Sequence, residues 1–195
     1  MNAYPLPTIN CLAFVAYSGA RIALNGFYVT GQPSEAAYPG IVSAGVKSVV
    51  CVRQPGEVSS PPPVPPPPAF HPHEESAAFA KLGITWTNVP ITRQMTQAQF
   101  DAAATQAAFA LLRNASLGPA MVHCSTGDRA SSVLAAALIA LGMSNADAAQ
   151  FGLNQLLLAN SSIVALVEGY TPSAAAVAEI REAAAASSIA LPALA

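Results

Sequence analysis

Charge is what this chain has least of. Asp, Glu, Lys and Arg together make up 9% of its 195 residues, the net charge at pH 7 is −2, and Lys47 and Lys81 are the only lysines. No basic patch exists to neutralise a phosphate backbone or an anionic bilayer, which excludes nucleic acid and membrane as main partners. Cysteine is also scarce. Cys11, Cys51 and Cys124 are odd in number and irregular in spacing, which excludes a disulfide framework. The expected location is therefore a reducing intracellular compartment, cytoplasmic by default, or an organelle if a targeting segment has been removed. Apolar residues reach 53%, yet no run of about 18 escapes a Gly, Pro or polar break, so no transmembrane helix is expected. The N-terminus carries Pro5 and Pro7 and no basic stretch, unlike a signal peptide. No cofactor and no metal is expected.

Alanine and proline are abundant. Alanine favours helix as much as core. Residues 61–68 hold seven prolines in eight positions, which fixes φ, removes the ladder amides and imposes polyproline II. This run lies in an expected loop over 54–72. It reads as a stiff surface insertion, or as a ligand for an SH3- or WW-type partner, although no basic residues flank it.

Strands are expected at Cys11–Tyr17, Gly26–Thr30, Lys47–Arg53, Ile84–Ile91 and Ala120–Cys124, from β-branched or apolar runs bounded by Gly and Pro. Helices are expected from Ser34 towards Gly45, interrupted by Pro39; over Glu74–Leu82; over Thr96–Asn114, with Phe100, Ala103, Ala107, Ala110 and Leu111 on one face; and from Ser131 to Leu141. Three more helices follow, one starting at Ser144 and two separated near Glu168–Pro172. Alternating strands and helices, then helices alone, predict an α/β fold: a mostly parallel central sheet flanked by helices, with extra helices over 143–187. One domain over 1–187 with a frayed tail at 188–195 is expected.

The chemistry concentrates at the end of the last strand, in His123-Cys-Ser-Thr-Gly-Asp-Arg129. A thiol delivered by a strand to a helix N-terminus, with a guanidinium close by, makes a thiolate nucleophile and an anion cradle together. Cys124 is the candidate nucleophile. The amides of Ser125, Thr126 and Gly127 are candidates to hold an anion, and Arg129 adds a planar two-pronged donor. Gly127 permits positive φ or close approach, and Ser131 can cap the helix or hydrogen-bond the sulfur. His123 either orients the loop or fills a core position. Asp128 is a candidate general acid or a turn residue bonding backbone amides. Arg53, Glu57 and Arg93 come from neighbouring loops and can line the same crevice, Arg53 as a candidate anion ligand.

This strand–His-Cys–turn–Arg–helix unit resembles the cysteine-dependent phosphatase superfamily of dual-specificity type. Residues 25–141, roughly 60% of the chain, resemble more narrowly the phosphatase-like domain of the beta-lactamase hydrolase-like family. The matching blocks are Gly31-Gln-Pro-Ser34, Val50-Cys-Val-Arg53 with Gly56-Glu57, Val89-Pro-Ile91 and His123–Arg129. The resemblance implies hydrolysis of phosphate monoesters, from phosphoprotein or small molecule, through a cysteinyl-phosphate, with Cys124, Arg129 and Asp128 as its catalytic residues. Two departures stand out. Four residues separate Cys124 from Arg129 where these phosphatases have five, and Ala130 follows the arginine where Ser or Thr is usual. The four-residue spacing is similar to the persulfide loop of rhodanese-type sulfurtransferases. A sulfurtransferase, and a catalytically weak anion-binding or scaffold domain, remain alternatives.

Overall fold

Short strands that are apolar on both faces must be covered on both sides, and the chain does this by placing helices above and below a parallel sheet. The computed structural model describes residues 27–58 and 70–186 in full and the backbone of residues 9–10 and 21–24. Strand β1 is Ile9–Asn10, β2 Arg21–Leu24, β3 Phe27–Thr30, β4 Ser48–Cys51, β5 Thr85–Asn88 and β6 Ala120–His123, in the order β1-β2-β3-β6-β4-β5. The pairs β3–β6, β6–β4 and β4–β5 are parallel, and β1 and β2 extend the β3 edge antiparallel. The expectation of a mostly parallel sheet is met. The expected strand at Cys11–Tyr17, the proline run and the tail at 188–195 lie outside the described residues.

Alternation along each strand sorts side chains into two cores. Tyr28, Val49 and Met121 face helices α1 (Tyr38–Ser43) and α2 (Pro72–Lys81), joining Ile41 and Phe79. Val29, Val50 and Val122 face the other way, towards α3 (Gln97–Asn114), α4 (Asp128–Ala140), α5 (Asn145–Gln155), α6 (Ser161–Glu168) and α7 (Ala174–Ala186). Helix α4 runs through the middle of this second layer, with twelve of its thirteen residues buried. Its alanines let α3, α5, α6 and α7 pack round it.

Helix boundaries follow local chemistry. Pro39 falls at the start of α1, where its missing N–H is not needed, and splits off a 3₁₀ turn at Glu35–Ala37. Pro72 likewise starts α2 two residues before the expected Glu74. Thr96 caps α3 by a reciprocal box with Gln99. The buried face of α3 is Phe100, Ala104, Ala107, Ala108, Leu111 and Leu112, one step round from the expected one; Ala103 and Ala110 are only partly buried. Strand β5 is shorter than Ile84–Ile91. Helix α4 starts at Asp128, three residues before the expected Ser131, which places Arg129 in its first turn.

Phe100 is fully buried and meets the Tyr170 ring edge-on at 6.1 Å between centroids, tying α3 to the segment that follows α6. Replacing Phe100 by Ala is expected to cost about 3–5 kcal/mol, read as a fall in the urea unfolding midpoint.

Candidate anion-binding site around Cys124

Strand β6 lies between β3 and β4 in one register, with Thr30 and Cys51 both opposite His123. The chain leaves the sheet hydrogen-bonded to both neighbours. Cys124 N donates to Thr30 O (3.3 Å), Val52 N to His123 O (2.9 Å) and Gln32 N to Ser125 O (3.1 Å). Gly127 then turns the chain into α4 at φ +97°. The positive φ calls for glycine, and a Cβ there would press on the Leu157 side chain. The turn brings Gly127 N within 3.1 Å of Cys124 Sγ, on which it donates a hydrogen bond. Cys124 itself is fully buried beneath the loop.

Above the loop lies an open cavity of about 220 Å³. Ser125, Thr126 and Arg129 form its floor, Gln54, Glu57 and Val58 one wall, and Thr92, Arg93 and Gln94 the other. Arg129 divides its five N–H groups. Nη1 donates to Glu57 Oε2 (2.7 Å) and Ile91 O (2.9 Å), and Nη2 donates to Glu57 Oε1 (2.5 Å). Those bonds clamp the far end of the guanidinium. Nε–H and the second Nη2 hydrogen form the side-on fork, the edge left to meet an anion beside the Cys124 sulfur, with which Arg129 also interacts.

The loop is buttressed from behind by the connection between α5 and α6. Asp128 Oδ1 accepts from Ala159 N (2.9 Å) and Asn160 N (3.0 Å). Its Oδ2 is buried and stands 3.7 Å from Arg93 Nη2. Asp128 therefore acts as an anchor for the α5–α6 connection, the amide-bonding alternative of the sequence analysis. Ser131 Oγ donates to Gly127 O (2.9 Å) and accepts from Leu157 N (2.9 Å); this hydroxyl ties the loop to Leu157 and does not face the cavity. Ser132 Oγ donates to Arg129 O.

Arg53 also differs from its expected role as an anion ligand. It is buried and donates Nη1 to Gln32 Oε1 (2.9 Å), Nη2 to Glu57 O (2.8 Å) and Nε to Glu57 Oε1 (3.3 Å), with its guanidinium 4.6 Å above the Phe70 ring. It is the strut that holds the Glu57 loop against Arg129. Gln32 passes the network on, donating Nε2 to Glu75 Oε1 (2.5 Å), while Trp86 Nε1 donates to Glu75 Oε2 (2.9 Å). His123 points to this side of the sheet, its Nε2 3.2 Å from Glu75 Oε2, so it belongs to the core and not to the cavity. Glu57 and Arg93, expected as crevice residues, both line the cavity. Gln32 and Glu75 were missed. Gln32 sits within the Gly31–Ser34 block, and nothing local marks Glu75.

Electrostatics follow from these contacts. Burial opposes the charge of Glu57, but the hydrogen bonds and charge of Arg129, with Gln54 N and Arg53, outweigh it and hold the carboxyl below its ordinary value. Burial likewise opposes Glu75, yet His123, Gln32 and Trp86 bring it down to about 2. Burial alone would push the His123 pKa down; the Cys51 sulfur and the Glu75 carboxylate outweigh it and raise the value well above the ordinary one.

Two outcomes follow. Glu57→Ala leaves the Arg129 guanidinium buried without its partner and is expected to lower stability by about 3 kcal/mol, measured by chemical denaturation at pH 7. Glu75 has a lower pKa folded than unfolded, so its stabilisation is complete above the unfolded carboxyl value of about 4.3 and is lost as pH falls towards 2. Thermal melts from pH 5 to pH 2 are expected to show a steeper loss for the natural chain than for Glu75→Gln.

No protein-family model and no curated protein matches the chain. Solved structures do. The Siw14 catalytic core aligns with TM-score 0.57 at 12% identity over 85% of this chain and 91% of that one; a second Siw14 structure is identified as from S. cerevisiae. P. aeruginosa TpbA aligns with TM-score 0.56 at 16% identity over 85% and 90%. PTPMT1 in complex with PI(5)P aligns with TM-score 0.51 at 16% identity over 81% and 94%. The fold of this chain is that of the cysteine-based phosphatases of dual-specificity type.

Proposed function

We propose that the chain hydrolyses phosphate monoesters through a cysteinyl-phosphate, as a member of the beta-lactamase hydrolase-like branch of this fold. The observation that carries the reading is the juxtaposition at one helix N-terminus. The Gly127 amide donates to the Cys124 sulfur at 3.1 Å, and Arg129 is clamped by Glu57 so that its side-on fork is left for an anion. The thiolate attacks phosphorus, the phosphorus–oxygen ester bond breaks, and the leaving oxygen takes the electron pair. Arg129 and the first-turn amides of α4 stabilise the three equatorial oxygens. Water then attacks the cysteinyl-phosphate and releases inorganic phosphate and the thiolate.

Proton delivery decides which esters react. Asp128 spends Oδ1 on two amides, and Glu57, the carboxylate in the cavity wall, is bound to Arg129. Neither is placed as a free acid, so esters whose leaving oxygen needs no proton are favoured. Arg93 and Arg129 are the cations lining the cavity, and each is paired with a carboxylate, Asp128 or Glu57. Among similar structures, TpbA with Cys replaced by Ser was solved with pTyr, an aryl phosphate. An aryl phosphate, free or on a protein, is the substrate class this site fits.

Purified protein is expected to release phosphate from an aryl phosphate about 10²–10⁴-fold faster than from an alkyl phosphate, the range general acid catalysis supplies when present. Cys124→Ser is expected to abolish release. Asp128→Asn is expected to lower stability while keeping most aryl phosphate turnover; loss of the alkaline limb of the pH–rate profile would instead make Asp128 the proton donor. Thiocyanate formation from thiosulfate and cyanide, without phosphate release, would overturn the reading in favour of sulfur transfer.

A further inference from the structure

On the far face of the sheet from the cavity, three side chains from three elements converge. Cys51 ends β4, His123 ends β6 directly opposite it, and Glu75 projects from the first turn of α2. One sulfur, one ring nitrogen and one carboxylate oxygen all lie within 4.8 Å of one another. All three residues are buried, at 0%, 0% and 7% exposure. His123 Nε2 is 3.2 Å from Glu75 Oε2, and both ring nitrogens are buried without a hydrogen bond of good geometry. A buried imidazole with neither nitrogen well bonded, beside a thiol and a carboxylate, is a donor set open to a metal ion. In a tetrahedral zinc site, a nitrogen and an oxygen at about 2.0–2.2 Å from the metal stand roughly 3.3 Å apart.

The surroundings fit the same reading. Gln32 Nε2 and Trp86 Nε1 each donate to one Glu75 oxygen, the outer contacts that hold a ligating carboxylate in place. A thiolate and a carboxylate neutralise a divalent ion, so the filled site carries no net charge into the core, with the imidazole neutral. Thiolate with imidazole selects zinc over magnesium or calcium, which take oxygen. Cys124 is not among the three donors.

We propose that Cys51, Glu75 and His123 form a zinc site that pins β4, β6 and α2 together behind the nucleophile loop. Zinc takes the thiol proton of Cys51 and the imidazolium proton of His123 out to solvent and keeps its fourth position for one water. Without metal, the same residues fall back on the Glu75–His123 ion pair. The site is structural, since the Cys124 cavity lies on the other side of the sheet, and it stands whether or not the chain is a phosphatase.

The test uses the full chain, produced with zinc and dialysed against metal-free buffer. About one zinc per chain by elemental analysis is expected, with a melting temperature that falls on chelation and recovers with zinc. Cobalt loading is expected to give a thiolate-to-cobalt charge-transfer band that Cys124→Ser retains and Cys51→Ser loses, with at least a tenfold weaker zinc affinity for Cys51→Ser. If Cys51→Ser does not fold, the band and the chelation response of the natural chain decide. A natural chain without retained zinc or band overturns the proposal, as does zinc held equally by Cys51→Ser, which would place the metal elsewhere.

Discussion

The pairing of Arg129 with Glu57 is the constraint from which the rest of the site follows. A guanidinium at the edge of a buried core persists only if its charge is matched and its donors are used. Glu57 meets both needs at one end of the fork. To do so its loop must be held, and Arg53 holds it through two hydrogen bonds and the Phe70 ring. Arg53 in turn needs Gln32, which also serves Glu75, whose counter-charge is His123. Charge alternates along this line from the cavity floor to the far face of the sheet, which is how so sparsely charged a chain keeps a strongly polar centre. Glu57, Arg53, Glu75, His123, Asp128 and Arg129 draw on only eight Lys and Arg, ten acidic residues and three histidines in the whole chain.

The helices after α4 have a second purpose beyond covering the sheet. The connection from Leu157 to Asn160 supplies amides to Asp128 and Ser131 and a side chain that fills the space beside Gly127. An anion loop must keep its own amides turned inward while its outward side is held by something else. Here that something comes about thirty residues later in the chain. The shortened Cys–Arg spacing is compatible with this because α4 begins early, at Asp128, so Arg129 already sits on a helical turn.

The local features were legible. The His-Cys-x-x-Gly-x-Arg order specified strand, turn and helix within ten residues, and Pro and Gly marked the boundaries of α1, α2 and α3. What was misread depends on partners distant in sequence. Arg53 read as an anion ligand because its neighbours on the chain do not reveal Phe70, Gln32 and the returning Glu57 loop. Asp128 stayed between general acid and amide-bonding turn residue because the amides it serves belong to Ala159 and Asn160. The start of α4 was set too late because Ser131 resembles a cap, whereas Gly127 at positive φ performs that task.

By itself the sequence determined the alternation of strands and helices, the apolar character of the strands on both faces, and the strand–thiol–helix unit, because each depends on residues within a few positions of one another. Only the tertiary structure decided which charges pair, which edge of Arg129 is left for a ligand, and that Cys51, Glu75 and His123 meet. Those three are 24 and 48 residues apart along the chain. Their approach is set by strand register and by the packing of α2 on the sheet, and burial then makes the energy of each charge depend on the partner that packing supplies.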